Sequence, residues 1–247
     1  MRQTYWKRVV AVFFAGWLLV YANRTVIGPL LPVLQDIWGL SKTQLGMINS
    51  AFFLTYTLVQ LPSGFLADRF GRKLILVPGY IGHALGAFAS ALAPGPWAFT
   101  GARVFTGFGQ GTFYSTHNAL ASMAIPQDRR GMGVAIMNSG VSFGIALGWL
   151  SAGFLTSGLG WSWRVPLLLL AGITLAVATA MGMMIREHRA REPENAARNP
   201  DNPARELIGA GTGTLRSILT PDLVRIYVVN IMMMYGFFAI LTWLPYY

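Results

Sequence analysis

The feature that most constrains this chain is a series of long apolar runs, each of about 20 residues, the length that an α-helix needs to cross a bilayer core of ~30 Å. Runs of this kind cover residues 9–31, 45–66, 74–93, 97–125, 131–155, 163–185 and 223–246. Hydrophobic residues make up 54% of the chain and charged residues 11%, whereas soluble domains carry about 25% charged residues. The sequence therefore predicts an all-α integral membrane protein with seven spans.

The connections between the runs differ in their content of lysine and arginine, which sets the orientation of a membrane protein. Rich connections alternate with poor ones along the chain. The rich ones are the N-terminus with Arg2, Lys7 and Arg8, the second with Arg69, Arg72 and Lys73, the fourth with Arg129 and Arg130, and the sixth with Arg186, Arg189, Arg191, Arg198, Arg205 and Arg216. We therefore expect the N-terminus and the sixth connection to be cytoplasmic, and the chain to reside in the cell membrane.

The sixth connection is long, polar and rich in proline and asparagine, with charges of both signs. This composition is typical of a linker rather than of a folded domain. The sequence thus predicts three parts: a six-helix transmembrane bundle over 1–185, a cytoplasmic linker over 186–221 and a seventh transmembrane helix over 222–247.

Several classes of function do not fit the composition. The formal net charge of +10 does not indicate nucleic-acid binding, because the basic residues fall in short clusters between apolar runs. The chain has no cysteine, which excludes disulfides and thiol-based metal sites. No group of histidine and carboxylate residues has the spacing of an acid–base or metal site. We therefore expect no enzymatic activity, no metal and no cofactor, and the lipid bilayer as the surrounding partner.

The connection between the second and third spans carries a motif. It reads GFLADRFGRKLIL over residues 64–76. Its glycines allow a sharp turn and close approach of the backbone, and its aspartate can be compensated by a cation or a helix terminus. The stretch resembles the loop signature of the major facilitator superfamily, and the residues that carry the resemblance are Gly64, Asp68, Arg69, Gly71, Arg72 and Lys73. The resemblance implies that this loop acts as a conformational switch.

Two further stretches support the same resemblance. RVFTGFGQG at 103–111 is similar to the fourth span of that family, and Trp163-Arg164 is similar to the opening of its sixth span. The resemblance implies two six-helix bundles with the substrate between them. On that basis the chain looks like the first bundle, the linker and one helix of the second bundle of a truncated twelve-span protein, so that a full cavity needs a C-terminal bundle.

The fifth span departs from one branch of the family. Gly140, Gly144 and Gly148 are each four residues apart, a spacing that favours close helix packing. The Gly-Pro pair that is usual in drug antiporters is absent, because Ile145 follows Gly144.

Two arginines lie well inside apolar runs, Arg24 in the first and Arg103 in the fourth. A charge at bilayer depth costs several kcal/mol. All nine acidic residues lie in connections or at the edges of spans, so no carboxylate within the bundle is placed to compensate either arginine. The open choices are water, backbone carbonyls, an acid in a second bundle or an anionic substrate. The planar fork of arginine suits a carboxylate, and we hypothesise that both arginines contact one.

The surroundings of Arg24 resemble the first span of anion:cation symporters of the same family, in which an acid commonly precedes the arginine. Asn23 occupies that position here. Other candidates for contact with the substrate are Tyr21, Asn23, His117 and Asn138. His117 is also a candidate for a polar contact between helices, and His83 is expected to pack peripherally.

The sequence therefore predicts a secondary active transporter that moves a small organic anion by alternating access, with ion-coupled symport. The coupling ion, a proton or sodium, is not determined by the sequence. The alternatives are a transporter of sugars, drugs or amino acids, an inactive truncated fragment, a receptor with seven spans, and a membrane enzyme.

Overall fold

The computed structural model describes residues 2–185 and, further along the chain, residues 225, 226, 228–234, 236 and 240. The regular structure of this described part is helical throughout. Its helices are α1 Arg2–Thr25, α2 Ile27–Trp38, α3 Lys42–Phe70, α4 Arg72–Leu92, α5 Pro96–Ala124, α6 Arg130–Ala152 and α7 Arg164–Met184, with a 3-10 turn at Gln127–Arg129 and a π-helical turn at Gly153–Gly158. The predicted linker over 186–221 lies outside the described residues.

The six predicted spans before the linker are each occupied by helix, and most of the helices extend beyond the predicted limits. Five helical segments in the described part are long and apolar enough to cross a membrane: Tyr5–Trp38, Lys42–Phe70, Arg72–Leu92, Gln127–Gly158 and Arg164–Met184. The chain is an integral, multi-pass membrane protein. Helix α5 is long enough but more polar, and it packs against both α3 and α4, so that protein covers much of its surface.

The first span differs from a simple helix because it is interrupted at Val26, between α1 and α2. Pro29 has no N–H with which to reach the carbonyl of Thr25, so the regular hydrogen-bond ladder is broken there. Helical hydrogen bonding nevertheless continues into the interruption, since the Val26 N–H donates to the Ala22 carbonyl at 2.9 Å. The span extends to Trp38, seven residues beyond the predicted end at residue 31.

Helix α6 packs on α1 through the three spaced glycines of the fifth span. A Cβ atom added to Gly140 would stand 2.5 Å from the Phe14 carbonyl oxygen, and one added to Gly144 would overlap the Leu18 carbonyl oxygen. One added to Gly148 would stand 2.6 Å from the carbonyl oxygen of Ala22. The predicted close packing is therefore confirmed, and it brings the backbone of α1 against α6 along two turns.

The core of the bundle consists of two apolar clusters with a polar layer between them. One cluster includes Phe13, Tyr80, Phe113 and Met181. The other includes Leu30, Phe99, Trp163 and Leu167. Along α1, α4, α5 and α7, several buried polar residues fall between the two clusters, and they include Asn23, Arg24, His83, Arg103, Thr106, Gln110 and Thr174.

The described residues between 225 and 240 belong to a second compact unit of the chain. All of them are helical, in the region where the seventh span is predicted. Their apolar side chains are exposed, and those of Ile231, Met232 and Met233 are each about two thirds accessible.

Candidate functional site

Arg24 lies in the last turn of α1 and is 7% exposed. Its Nη2 and Nε atoms donate to Oε1 of Gln110 on α5, at 2.7 and 3.3 Å. The Nε2 atom of Gln110 in turn donates to the Val20 carbonyl at 2.9 Å. Because both ends of this amide are bonded to α1, Gln110 fixes one edge of the guanidinium and ties α5 to α1.

Aromatic rings surround the same guanidinium. The Cζ atom of Arg24 lies 4.6 Å from the ring centroid of Tyr56, 4.9 Å from Tyr21, 5.5 Å from Phe53 and 5.8 Å from Phe52. A cation over an aromatic face is stabilised by about 0.5–2 kcal/mol per interaction. Ring faces and the amide oxygen of Gln110 therefore help to accommodate this charge inside the bundle.

Arg103 is more deeply buried than Arg24. It is 2% exposed, and its Cζ atom lies 4.3 Å from the ring centroid of Phe52. Its Nη1 atom donates to the Asn23 carbonyl at 3.5 Å, while Nε and Nη2 have no hydrogen-bond partner among the described residues. Phe52 thus contacts both predicted arginines, which places two positive charges at one ring.

The acidic residues of the described range 2–185 lie away from the buried layer that holds the two arginines. They are Asp36, Asp68 and Asp128, and all three are exposed near helix ends. Within residues 2–185 the acids thus lie at exposed helix ends, where the sequence predicts them. What an incoming anion would meet here is an excess of positive charge.

Asn23 does not line an open surface. It is 1% exposed, and its Nδ2 atom donates to the Leu19 carbonyl and to Oγ1 of Thr174 on α7, each at 2.9 Å. The asparagine that replaces the expected acid therefore links α1 to α7, next to Arg24 in the chain.

His117 is fully buried and packs in an aromatic group. Its ring stacks on Phe113 with centroids 4.9 Å apart and meets Trp17 edge-on at 4.5 Å. Its Nδ1 atom lies 3.0 Å from the Phe113 carbonyl. His83 is also fully buried, on α4. The expectation that His83 packs peripherally is wrong, because the backbone of α4 at His83 lies against Gly109 of the central helix α5.

The structure brings together four of the six predicted contact residues, namely Tyr21, Asn23, Arg24 and Arg103. His117 lies further along α5 and packs on Trp17, Phe113 and Tyr114. Asn138 is exposed on α6 and shares no hydrogen bond or ring contact with them in the described part. Sequence reasoning missed Gln110, Phe52 and Tyr56. A usable signal existed for Gln110, since it lies seven residues after Arg103 and so on the same face of the helix.

The signature loop forms the turn between α3 and α4. Gly71 joins the two helices with φ 113°, a value that favours glycine, and so explains the sharp turn. Asp68 pairs with Arg72 at 3.2 Å, and Nη1 of Arg72 lies 3.1 Å from the sulfur of Met123 on α5. Gly64 lies inside α3, where an added Cβ would be in ordinary contact at 3.7 Å with Ser115, so the close approach expected there is not required.

The other two basic residues of the loop do not join this ion pair. Arg69 is exposed, with its Cζ atom 5.4 Å from the ring of Phe70. Lys73 is half-buried in the first turn of α4. The switch role of the loop stays a prediction.

The sequence as a whole is similar to a known transporter family. A sequence model of the Major Facilitator Superfamily matches residues 13–247. The hexuronate transporter of Bacillus subtilis is 28% identical over 169 residues, which are 68% of this chain and 40% of that protein. The 4-hydroxybenzoate transporter PcaK of Pseudomonas aeruginosa is 31% identical over 182 residues, which are 74% of this chain and 40% of that protein. The chain thus spans well under half the length of these relatives.

The fold is similar to that of a solved transporter. A bacterial homologue of the human lysosomal transporter Spinster, in an inward-facing and unoccupied conformation, matches with a TM-score of 0.68 at 22% identity. The match covers 74% of this chain and 43% of that structure. This likeness shows the fold, and the match of the family's sequence model over residues 13–247 shows that the chain belongs to the Major Facilitator Superfamily.

Proposed function

We propose that this chain is part of a secondary active transporter that carries a small organic anion, a carboxylate, across the membrane. The observation that carries the proposal is the pair of buried guanidinium groups on Phe52, in a bundle whose acids are exposed at helix ends. A carboxylate bound there would offset the cost of the two charges at bilayer depth. The transporter names of the two relatives, one for hexuronate and one for 4-hydroxybenzoate, support a carrier of carboxylates rather than an enzyme.

The two arginines have different parts in this proposal. Arg24 is held along one edge by Gln110, which orients its planar fork for a bidentate contact with a carboxylate. Arg103 stands behind Phe52 and adds positive potential to the site. The other wall of the site comes from a second bundle, joined through the predicted linker at 186–221, and the two bundles tilt about the site in alternating access.

The proposal includes coupling to the co-transport of an ion, either a proton or sodium. It also includes an orientation in the cell membrane, with the N-terminus and the linker on the cytoplasmic side. The alternation of lysine and arginine between successive connections supports this orientation.

The role of Arg24 can be tested in proteoliposomes that hold the protein from its complete reading frame. The measurement is the uptake of carboxylates. Because lysine cannot make the bidentate contact, Arg24→Lys is expected to raise the apparent KM about tenfold, the equivalent of ~1.4 kcal/mol. Arg8→Lys on the exposed start of the same helix is the matched control and should leave uptake unchanged. Uptake and apparent affinity that are unaltered in Arg24→Ala would show that this role is wrong.

The absence of native cysteine allows a direct test of the orientation. Lys42 and Gln127 are both exposed, in the first and the fourth connection. A membrane-impermeant maleimide added to intact cells should label Lys42→Cys, and should label Gln127→Cys only after permeabilisation. The opposite pattern would reverse the proposed topology.

A further inference from the structure

Four aromatic side chains form a circuit that closes on Arg24. The ring centroids of Trp17 and Tyr21 are 5.7 Å apart, those of Trp17 and Tyr114 are 5.0 Å apart, and those of Tyr114 and Tyr56 are 5.9 Å apart. The guanidinium of Arg24 completes the circuit over Tyr21 and Tyr56. We call Trp17, Tyr21, Tyr56 and Tyr114 the aromatic collar; its members come from α1, α3 and α5.

The collar is more open on one side than on the other. Trp17 and Tyr21 on α1 are 3% and 8% exposed, whereas Tyr114 on α5 is 36% exposed. Tyr56 on α3 is half-buried. The rings of Tyr56 and Tyr114 are therefore the members of the collar that an incoming molecule can contact most readily.

The polar groups of the collar are few, and all of them are carried by aromatic rings. They are three phenolic hydroxyls and the indole N–H of Trp17, and this buried N–H has no hydrogen-bond partner among the described residues. The nearby amide nitrogens of Asn23 and Gln110 already donate to protein oxygens. A sugar acid would bring several aliphatic hydroxyls, each of which loses free energy if it is buried without a partner.

An aromatic acid matches this arrangement better. Its ring can pack edge-to-face or offset against the tyrosines, as aromatic pairs prefer. Its carboxylate can lie on Arg24, and a ring hydroxyl can exchange hydrogen bonds with the phenols or accept from Trp17. We infer that the cargo is a small hydroxylated aromatic carboxylate, with its ring in the aromatic collar. This inference rests on the proposed function and narrows its substrate class.

Competition between carboxylates of matched size tests the inference on the unmodified protein. Proteoliposomes holding the protein from its complete reading frame are given labelled 4-hydroxybenzoate, in competition with benzoate, cyclohexanecarboxylate or D-glucuronate. Benzoate is expected to compete about two- to tenfold better than cyclohexanecarboxylate, which has the same charge and ring size but no π face. D-Glucuronate is expected to compete least.

Each labelled compound is also offered alone. Preferred uptake of D-glucuronate, or equal competition by benzoate and cyclohexanecarboxylate, would overturn the aromatic class and leave the carboxylate transporter standing. Uptake of none of the four carboxylates would overturn the proposed function as well.

Variants of the collar test whether its rings cause the preference for aromatic carboxylates. Tyr114→Leu is expected to weaken competition by benzoate about two- to tenfold and to leave cyclohexanecarboxylate unchanged. Phe105→Leu is the matched control, because Phe105 is a similarly exposed aromatic residue of α5 that lies near Gly82 on α4. An equal loss for both competitors in Tyr114→Leu would indicate a structural role for the ring and would count against the inference.

Tyr56→Phe distinguishes the contribution of the Tyr56 hydroxyl from that of the Tyr56 ring. The variant keeps the ring face that lies over Arg24 and removes only the hydroxyl. We expect it to reduce the preference for 4-hydroxybenzoate over benzoate. An unchanged preference would show that the hydroxyl of Tyr56 does not recognise the cargo.

Discussion

The Oε1 atom of Gln110 accepts hydrogen bonds from both Nη2 and Nε of Arg24, at 2.7 and 3.3 Å, across 86 residues of sequence. The same side chain donates to the backbone of α1 at Val20. The neutral amide of Gln110 therefore holds the charged group of Arg24 inside the bundle and joins the first and fourth spans at the proposed site.

Removal of this amide should destabilise the bundle. In Gln110→Leu the guanidinium of Arg24 loses an acceptor while it remains buried, at a cost of about 1.5–3 kcal/mol. We expect a melting temperature several degrees below that of the wild type in detergent. Gln127→Leu, at an exposed position outside the α-helices, should have the melting temperature of the wild type. Equal melting of the two variants would contradict the pairing of Gln110 with Arg24.

The spans were predictable from the sequence because length and apolar composition alone define them. The six runs before the linker are all helical, and errors fall at their ends and at one internal interruption. The first span continues to Trp38 although Pro29 and Pro32 lie within it. Each proline removes a backbone hydrogen-bond donor, yet the residues on both sides of Val26 are helical, which composition alone does not indicate.

The arginines of the site were predictable because a charge inside an apolar run is conspicuous. Their neighbours were harder to predict, because Gln110 and Tyr56 meet Arg24 from other helices. The spacing of Gln110 and Arg103 places both on one face of α5, but periodicity within a helix does not indicate which residue of another helix that face meets. Asn138 is the converse case. A polar residue in a span looks functional in the sequence, but Asn138 is exposed on α6 and does not contact the arginines in the described part of the chain, so its role stays a prediction.

Arg103→Met should separate the electrostatic role of Arg103 from a structural one. Two nitrogen atoms of this buried guanidinium have no partner in the described part of the chain, so an apolar side chain of similar length should be neutral or stabilising. We expect an unchanged or higher melting temperature together with reduced uptake of the carboxylate. Arg130→Met, at an exposed site, should leave uptake unaltered. A marked fall in melting temperature would instead assign Arg103 a structural role.

The contact between α6 and α1 should tolerate no added methyl group. In Gly144→Ala the new Cβ would overlap the Leu18 carbonyl oxygen, and backbone cannot give way as a flexible side chain can. Overpacking of this kind typically costs about 1–3 kcal/mol, so the melting temperature should fall. Gly131→Ala on the same helix is the control, because nothing lies within 4 Å of the added atom. That variant should be stabilised by about 0.5–1 kcal/mol, and a similar fall in both would argue against the α1–α6 contact.

Asp68→Asn should change the rate of transport without changing the affinity for the cargo. The Asp68–Arg72 pair lies at the α3–α4 turn, and the two side chains are 70% and 31% exposed. An exposed pair contributes only about 0–1 kcal/mol to stability, so the variant should melt close to the wild type. If the loop acts as a conformational switch, the maximal uptake rate should fall while the apparent KM stays constant. Asp128→Asn is the matched control, since Asp128 also pairs with a neighbouring arginine at an exposed site. A raised KM in Asp68→Asn, or equal rates in the two variants, would show that the loop has no separate role in the conformational step.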